Sequence, residues 1–142
     1  MTKLQEQDKP VKDKPVKVEA SRTIQEPSSS QNVLSPLVDI YEAQDEVVLV
    51  AEVPGAGKDD ITVQVEKGVL SVEARMSVKP PGDEYGRTYV GFEPGVYYRA
   101  FALSDEIDRE RISATVNNGV LTIHLPKAET AKTRKIQVKT AD

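Results

Sequence analysis

The chain's one imidazole is His124, and it has no cysteine. Any transition-metal site or histidine-based acid–base chemistry would have to be built around that ring. It lies in L-T-I-H-L, where Leu121, Ile123 and Leu125 alternate with Thr122 and His124. At strand spacing the histidine is predicted to face solvent, opposite the apolar side. No nucleophile elbow is present to place it in a Ser-His-Asp arrangement. Gly55-Ala56-Gly57-Lys58 hints at a phosphate loop, but that pattern needs a glycine where this chain has Glu52 and a Ser or Thr where it has Asp59. Asp59 would also repel phosphate. The acidic residues are spread along strand faces and loops, and nothing in their spacing points to a catalytic pair. The expectation is a protein that is not an enzyme and that uses no cofactor and no metal.

With 142 residues, 38% of them hydrophobic and 30% charged, the chain has room for one modest domain plus tails. A net charge of −4 gives no pull toward nucleic acid or an anionic membrane. No apolar run is long enough for a spanning helix, and the N-terminal lysines are not followed by the apolar stretch of a secretory signal. The absence of cysteine rules out a disulfide framework and fits a reducing compartment. A cytoplasmic protein is the expectation.

The elements available to position anything are strands. In Ala114–Lys127, A-T-V-N-N-G-V-L-T-I-H-L-P-K, two alternating runs flank Asn118-Gly119, the residue pair that a two-residue type I′ hairpin favours, and Pro126 ends the ladder. Leu37–Tyr41 and Glu46–Val53 read as earlier strands, the second ending at Pro54-Gly55. Ile61, Val63 and Val65 alternate with Thr62, Gln64 and Glu66, and Lys67-Gly68 turns the chain into Val69–Ser77. No stretch has a sustained helical period. The fold class predicted is all-β, with two facing sheets burying the alternating positions.

Residues 1–35 read as a disordered polar arm, 36–127 as the sandwich domain and 128–142 as a flexible tail. The arm has three prolines, no glycine and no aromatic residue, and its near repeat K-P-V-K-D-K-P-V-K mixes charges rather than forming a basic patch. Between Val78 and Gly95, glycines and prolines crowd a long loop, and six of the seven aromatic residues fall between Tyr85 and Phe101. Such a loop is either a contact surface or a flap folded back over its own sandwich. Arg87–Val90 reads as a short strand within it. In Tyr97–Leu103, Arg99 falls on the same face as Tyr97, Phe101 and Leu103. A cation in that row is expected either to pair with a carboxylate or to lie at a boundary between chains.

Four stretches together resemble the small heat-shock proteins and their α-crystallin domain, over roughly Pro36 to Val138. P-G-A-G-K-D-D-I-T-V-Q-V-E-K-G-V-L-S-V-E-A at Pro54–Ala74 is similar to the family's Pro-Gly, acidic pair, alternating strand and Gly-x-Leu run. G-V-Y-Y-R-A-F-A-L at Gly95–Leu103 resembles its Gly-x-Phe-x-Arg-x-Phe-x-Leu-Pro stretch, with Tyr97 at the first aromatic place and Ser104 where proline is usual. Ala-(x)n-Asn-Gly-Val-Leu followed by Leu-Pro-Lys at Ala114–Lys127 is the third, and Ile136-Gln137-Val138 resembles the C-terminal Ile-x-Ile/Val anchor. The arm departs from the family pattern in carrying no phenylalanine.

The resemblance implies an immunoglobulin-like β-sandwich that dimerises and often assembles into larger homo-oligomers. It implies that Arg87, Thr88, Tyr89 and Val90 form a strand swapped onto a partner subunit, with Arg99 near the dimer interface. It further implies that Ile136 and Val138 dock in a neighbouring chain's groove, formed here by Ile61, Val63 and Val65 on one side and Ile112, Ala114 and Val116 on the other. The implied activity is an ATP-independent holdase that binds unfolding client proteins and passes them to ATP-driven refolding chaperones. The alternative is a co-chaperone or adaptor of similar sandwich fold that binds one folded partner.

Overall fold

The computed structural model describes residues 14–16, 18, 31–79, 81–91 and 93–141. Among these residues nine strands follow in order: β1 (Lys14–Val16), β2 (Val33–Leu34), β3 (Val38–Glu42), β4 (Glu46–Glu52), β5 (Ile61–Glu66), β6 (Val69–Arg75), β7 (Val96–Ala102), β8 (Ser113–Asn117) and β9 (Val120–Pro126). Among the described residues there is no α-helix, only three short 3-10 turns. One sheet runs β1-β8-β9-β4-β3 and the other β2-β7-β6-β5, so the fold is the all-β sandwich expected.

Alternation decides which side chains fill the space between the sheets. Leu121 and Ile123 of β9 are fully buried, as are Leu49 of β4 and Leu70 and Val72 of β6, while Thr122 and His124 lie toward the outer face. Each buried aliphatic side chain of this kind stabilises the fold by roughly 1.5–3 kcal/mol. Both hairpins turn as their residues require. Asn118 and Gly119 have φ of 48° and 75°, and Lys67 and Gly68 have 48° and 77°. Left-handed geometry at both central positions is the type I′ turn that matches strand twist.

The Asn118-Gly119 turn is also a packing point. The Val53 amide donates to the Gly119 carbonyl at 2.7 Å, and a β-carbon at Gly119 would come within 2.9 Å of the Pro54 Cα. This corner joins the end of β4 to the β8–β9 hairpin. The Tyr97 hydroxyl reaches the same corner, donating to the Pro54 carbonyl at 2.9 Å, and burial pushes its phenol pKa up.

Two pieces of the stretch expected to be an unfolded arm are strands. Val33 and Leu34 pair in parallel with Val96 and Tyr97, and Lys14–Val16 runs antiparallel along β8. The composition of the whole stretch conceals them, because a few apolar residues at strand spacing suffice for an edge pairing. Residues 1–13, 17 and 19–30 of that arm lie outside the described residues. In the long loop, Arg87–Val90 forms no strand in the single chain. A strand needs a partner for its backbone groups, and this segment has none within its own subunit.

Gly119→Ala is expected to destabilise the fold by about 1–3 kcal/mol, because it adds a positive-φ penalty to a backbone clash. Denaturant unfolding followed by far-ultraviolet circular dichroism checks this; an unchanged midpoint would show that the corner relaxes freely.

Candidate functional site

Where the sandwich ends on one side, β5 and β8 are the neighbouring rims of the two sheets. Ile61 and Val63 of β5 and Ala114 and Val116 of β8 are all buried, Ile112 precedes β8 at the same rim, and Val65 is half-buried. These are the residues expected to line a groove for a neighbour's tail, and in the single chain a segment of the chain itself runs along them. Lys14 pairs with Val116, Pro15 with Thr115 and Val16 with Ala114, and Val18 then bridges to Val63 on the opposite rim. Val16 is only 6% exposed and belongs to the core cluster. Small Ala114 leaves the space that Val16 takes, and Pro15 is tolerated because β1 is an outermost strand. By contrast, Ile136 is 85% and Val138 91% exposed.

The tail leaves the body from a fixed point. Lys127 Nζ binds Glu42 at 2.7 Å, and Arg111 bridges Asp108 at 2.7 Å and the Lys127 carbonyl at 3.1 Å. Lys132 pairs with Glu129 at 2.9 Å. The hydrogen bond from Lys127 holds the Glu42 carboxyl below the usual range, Arg111 does the same to Asp108 and Lys132 to Glu129, whose carboxylate in turn raises the Lys132 pKa.

At the other end of the sandwich the rim is open. Because β2 covers β7 only at Val96 and Tyr97, the later residues of β7 are an uncovered edge. Phe101 and Leu103 face Ile40 and Leu49 across an apolar cleft of about 480 Å³. Arg99 sits on this inner face, opposite Val72, yet reaches solvent because the edge is open. Its guanidinium lies 5.0 Å from the Phe101 ring centre and donates to the Pro36 carbonyl at 3.5 Å. Of the two expectations for Arg99, no carboxylate among the described residues meets it, and in the single chain it lies at an uncovered edge.

The long loop stands away from the sandwich. Tyr85 is 63% and Tyr89 87% exposed, and Arg87, Thr88 and Val90 are exposed beside them. The loop encloses an open pocket of about 360 Å³ lined by its own residues. Exposed tyrosines favour a contact surface over a flap folded onto its own body. Phe92 lies outside the described residues.

The sites considered for chemistry take ordinary places. His124 Nδ1 lies 3.1 Å from a Glu46 carboxylate oxygen on the outer face. The Gly57 amide donates to Asp60 Oδ2 at 2.9 Å, so a carboxylate of the chain itself meets the amide that a phosphate would use. Among the described residues, no cluster of His, Asp and Glu could hold a metal, and no helix is long and apolar enough to cross a membrane. What the sequence reading missed is β1 and the cleft beside Phe101. The available signal for β1 was the spacing of Val16 and Val18, the same as that of Ile136 and Val138.

Comparison with known proteins agrees with this geometry. Residues 39–139 match the Hsp20/alpha crystallin family. The chain is 38% identical to a probable 15 kDa heat shock protein of Leptospira interrogans, over 75% of this chain and 80% of that protein. It is 33% identical to heat shock protein 16 of Schizosaccharomyces pombe, over 72% of this chain and 73% of the other. In three dimensions it resembles a small heat-shock protein from Xylella fastidiosa, with a TM-score of 0.60 at 34% identity, covering 75% of this chain and 98% of that one. Heat shock protein 16.0 from S. pombe superposes with a TM-score of 0.62 at 32% identity, over 75% and 99% of the two chains. With its two-sheet sandwich and this match over residues 39–139, this chain belongs to the Hsp20/α-crystallin family, that of the small heat-shock proteins.

Proposed function

We propose that the protein is an ATP-independent holdase that binds unfolding polypeptides as a dimer or larger homo-oligomer and leaves their refolding to ATP-driven chaperones, acting in the cytoplasm. The observation that carries this reading is the amount of apolar and aromatic surface a well-packed sandwich leaves uncovered: Tyr85 and Tyr89 in the loop, the cleft beside Phe101, and Ile136 and Val138 in the tail. A protein with a fully buried Leu49–Leu70–Leu121 core has no folding need to expose these groups. Such surfaces on soluble proteins mark places where another chain binds.

The subunit contacts follow from the same surfaces. The unpaired segment Arg87–Val90 adds as a strand to the partner's sheet edge, beside Arg99. The tail's Ile136 and Val138 enter a neighbour's groove between β5 and β8. Burying those two side chains contributes roughly 3–6 kcal/mol, and fixing three residues of tail backbone costs about 3–6 kcal/mol. One tail alone is therefore held weakly and exchanges, and stable assembly needs several at once. Weak individual contacts are what an assembly that opens for clients requires.

Suppression of heat-induced aggregation tests the activity. Several unrelated proteins heated without ATP should stay soluble when this protein is present near stoichiometric amounts. No protection of any, or protection of a single one, would contradict the reading, and the latter outcome would point to an adaptor with one partner. The double substitution Ile136→Gly and Val138→Gly is expected to lower the assembly mass by light scattering while thermal melting of the sandwich stays as in the parent. An unchanged mass would exclude the tail from assembly.

A further inference from the structure

The rim between β5 and β8 is already occupied by this chain's own Lys14–Val16 and Val18, and the two valines have the same spacing as the tail's Ile136 and Val138. Val16-Lys17-Val18 and Ile136-Gln137-Val138 each place two branched apolar side chains one residue apart, beside basic neighbours. In an extended segment, residues two apart point to the same side, so both sequences present a pair of aliphatic knobs to one surface. Val16 enters beside Ala114 on one rim, and Val18 bridges to Val63 on the other.

We infer that Val16 and Val18 are the resident occupants of this groove and compete there with Ile136-Gln137-Val138 of neighbouring chains. The inference rests on the proposed docking of the tail. The arm itself supplies a comparison. Lys9-Pro10-Val11-Lys12-Asp13 repeats Lys14-Pro15-Val16-Lys17-Val18 except at the last position, where Asp13 replaces the second valine. Carboxylate desolvation bars the first copy from an apolar groove, so a single residue determines which copy fits.

The competition is balanced by two opposing terms. Isoleucine has one methylene more than valine, which favours the tail about fourfold. The arm, however, is joined to the same body, and a tethered segment acts at an effective concentration on the order of 1 mM. Against free tails at about 10 µM, the arm is then favoured roughly 25-fold after the methylene difference. The bias weakens as chains concentrate or as other contacts hold a neighbour's tail close. The arm therefore sets a threshold: dilute chains keep their grooves closed, and chains already joined through the loop exchange arms for tails.

The test uses the full chain and a labelled synthetic peptide of residues 131–142, with binding read by fluorescence anisotropy. Val18→Asp makes the second repeat identical to the first, and the tail peptide is expected to bind this variant at least about tenfold more tightly than it binds the parent. A peptide of residues 12–20 should displace it, and the same peptide carrying Val18→Asp should not. Equal affinity for parent and variant would overturn the competition while leaving tail docking intact. Binding of the arm peptide to the variant without any binding of the tail peptide would overturn both. In the unaltered protein, a saturating tail peptide should increase deuterium exchange across residues 12–20; unchanged exchange would likewise overturn the inference, whatever the variant's folding.

Discussion

A two-sheet sandwich cannot close on itself. Its sheets stand about 10 Å apart, and at each end the outermost strands have unpaired backbone groups on one side and core-facing side chains on the other. In this chain one such rim lies between β5 and β8, where β8 is edged only by the short β1, and the other between β3 and β7, where β7 is edged only by the two-residue β2. The core-facing side chains along both rims are left bare by their own sheets, so each rim calls for a cover from some other segment. Proteins that stay strictly single usually block such rims with prolines, charges or a permanent flap.

The covers here are short and partial. β1 fills the β5–β8 rim with Val16 and Val18, and β2 shields β7 at only two residues. Past them, Arg99 lies beside Phe101 at the open edge rather than in a closed ion pair. The aromatic loop and the Ile136–Val138 tail remain unburied in the single chain, although both are rich in groups suited to burial. The tail is launched from a pinned base at Lys127, Arg111 and Lys132, which fixes where its reach begins. Small covers that bind with little net free energy suit the proposed holdase, whose apolar surfaces would be protected at rest and accessible when other proteins unfold.

Local pattern made the sandwich legible. Leu121, Ile123 and Leu125 lie inside because of period-two alternation, and Asn118-Gly119 and Lys67-Gly68 turn as their residue types demand. Those features depend on neighbours in sequence. The position of Arg99 was readable only as a choice, since whether an inward residue reaches solvent depends on how far β2 extends. The β1 pairing was hidden by the composition of its surroundings: lysine, proline and aspartate dominate the arm, and the two valines that matter make a signal only next to a groove of the right width. Arg87–Val90 has the residue types of a strand, and the single chain offers it no strand to pair with. In each of these cases the missing information is the shape of a distant surface, which periodicity does not encode.

The central claim is that the rims of this sandwich are satisfied between chains. The native mass of the intact protein, measured across a dilution series, tests it most directly. At micromolar concentration the species should weigh twice 15.6 kDa or a larger multiple, falling toward smaller species on dilution. A single 15.6 kDa species at every concentration would contradict the account.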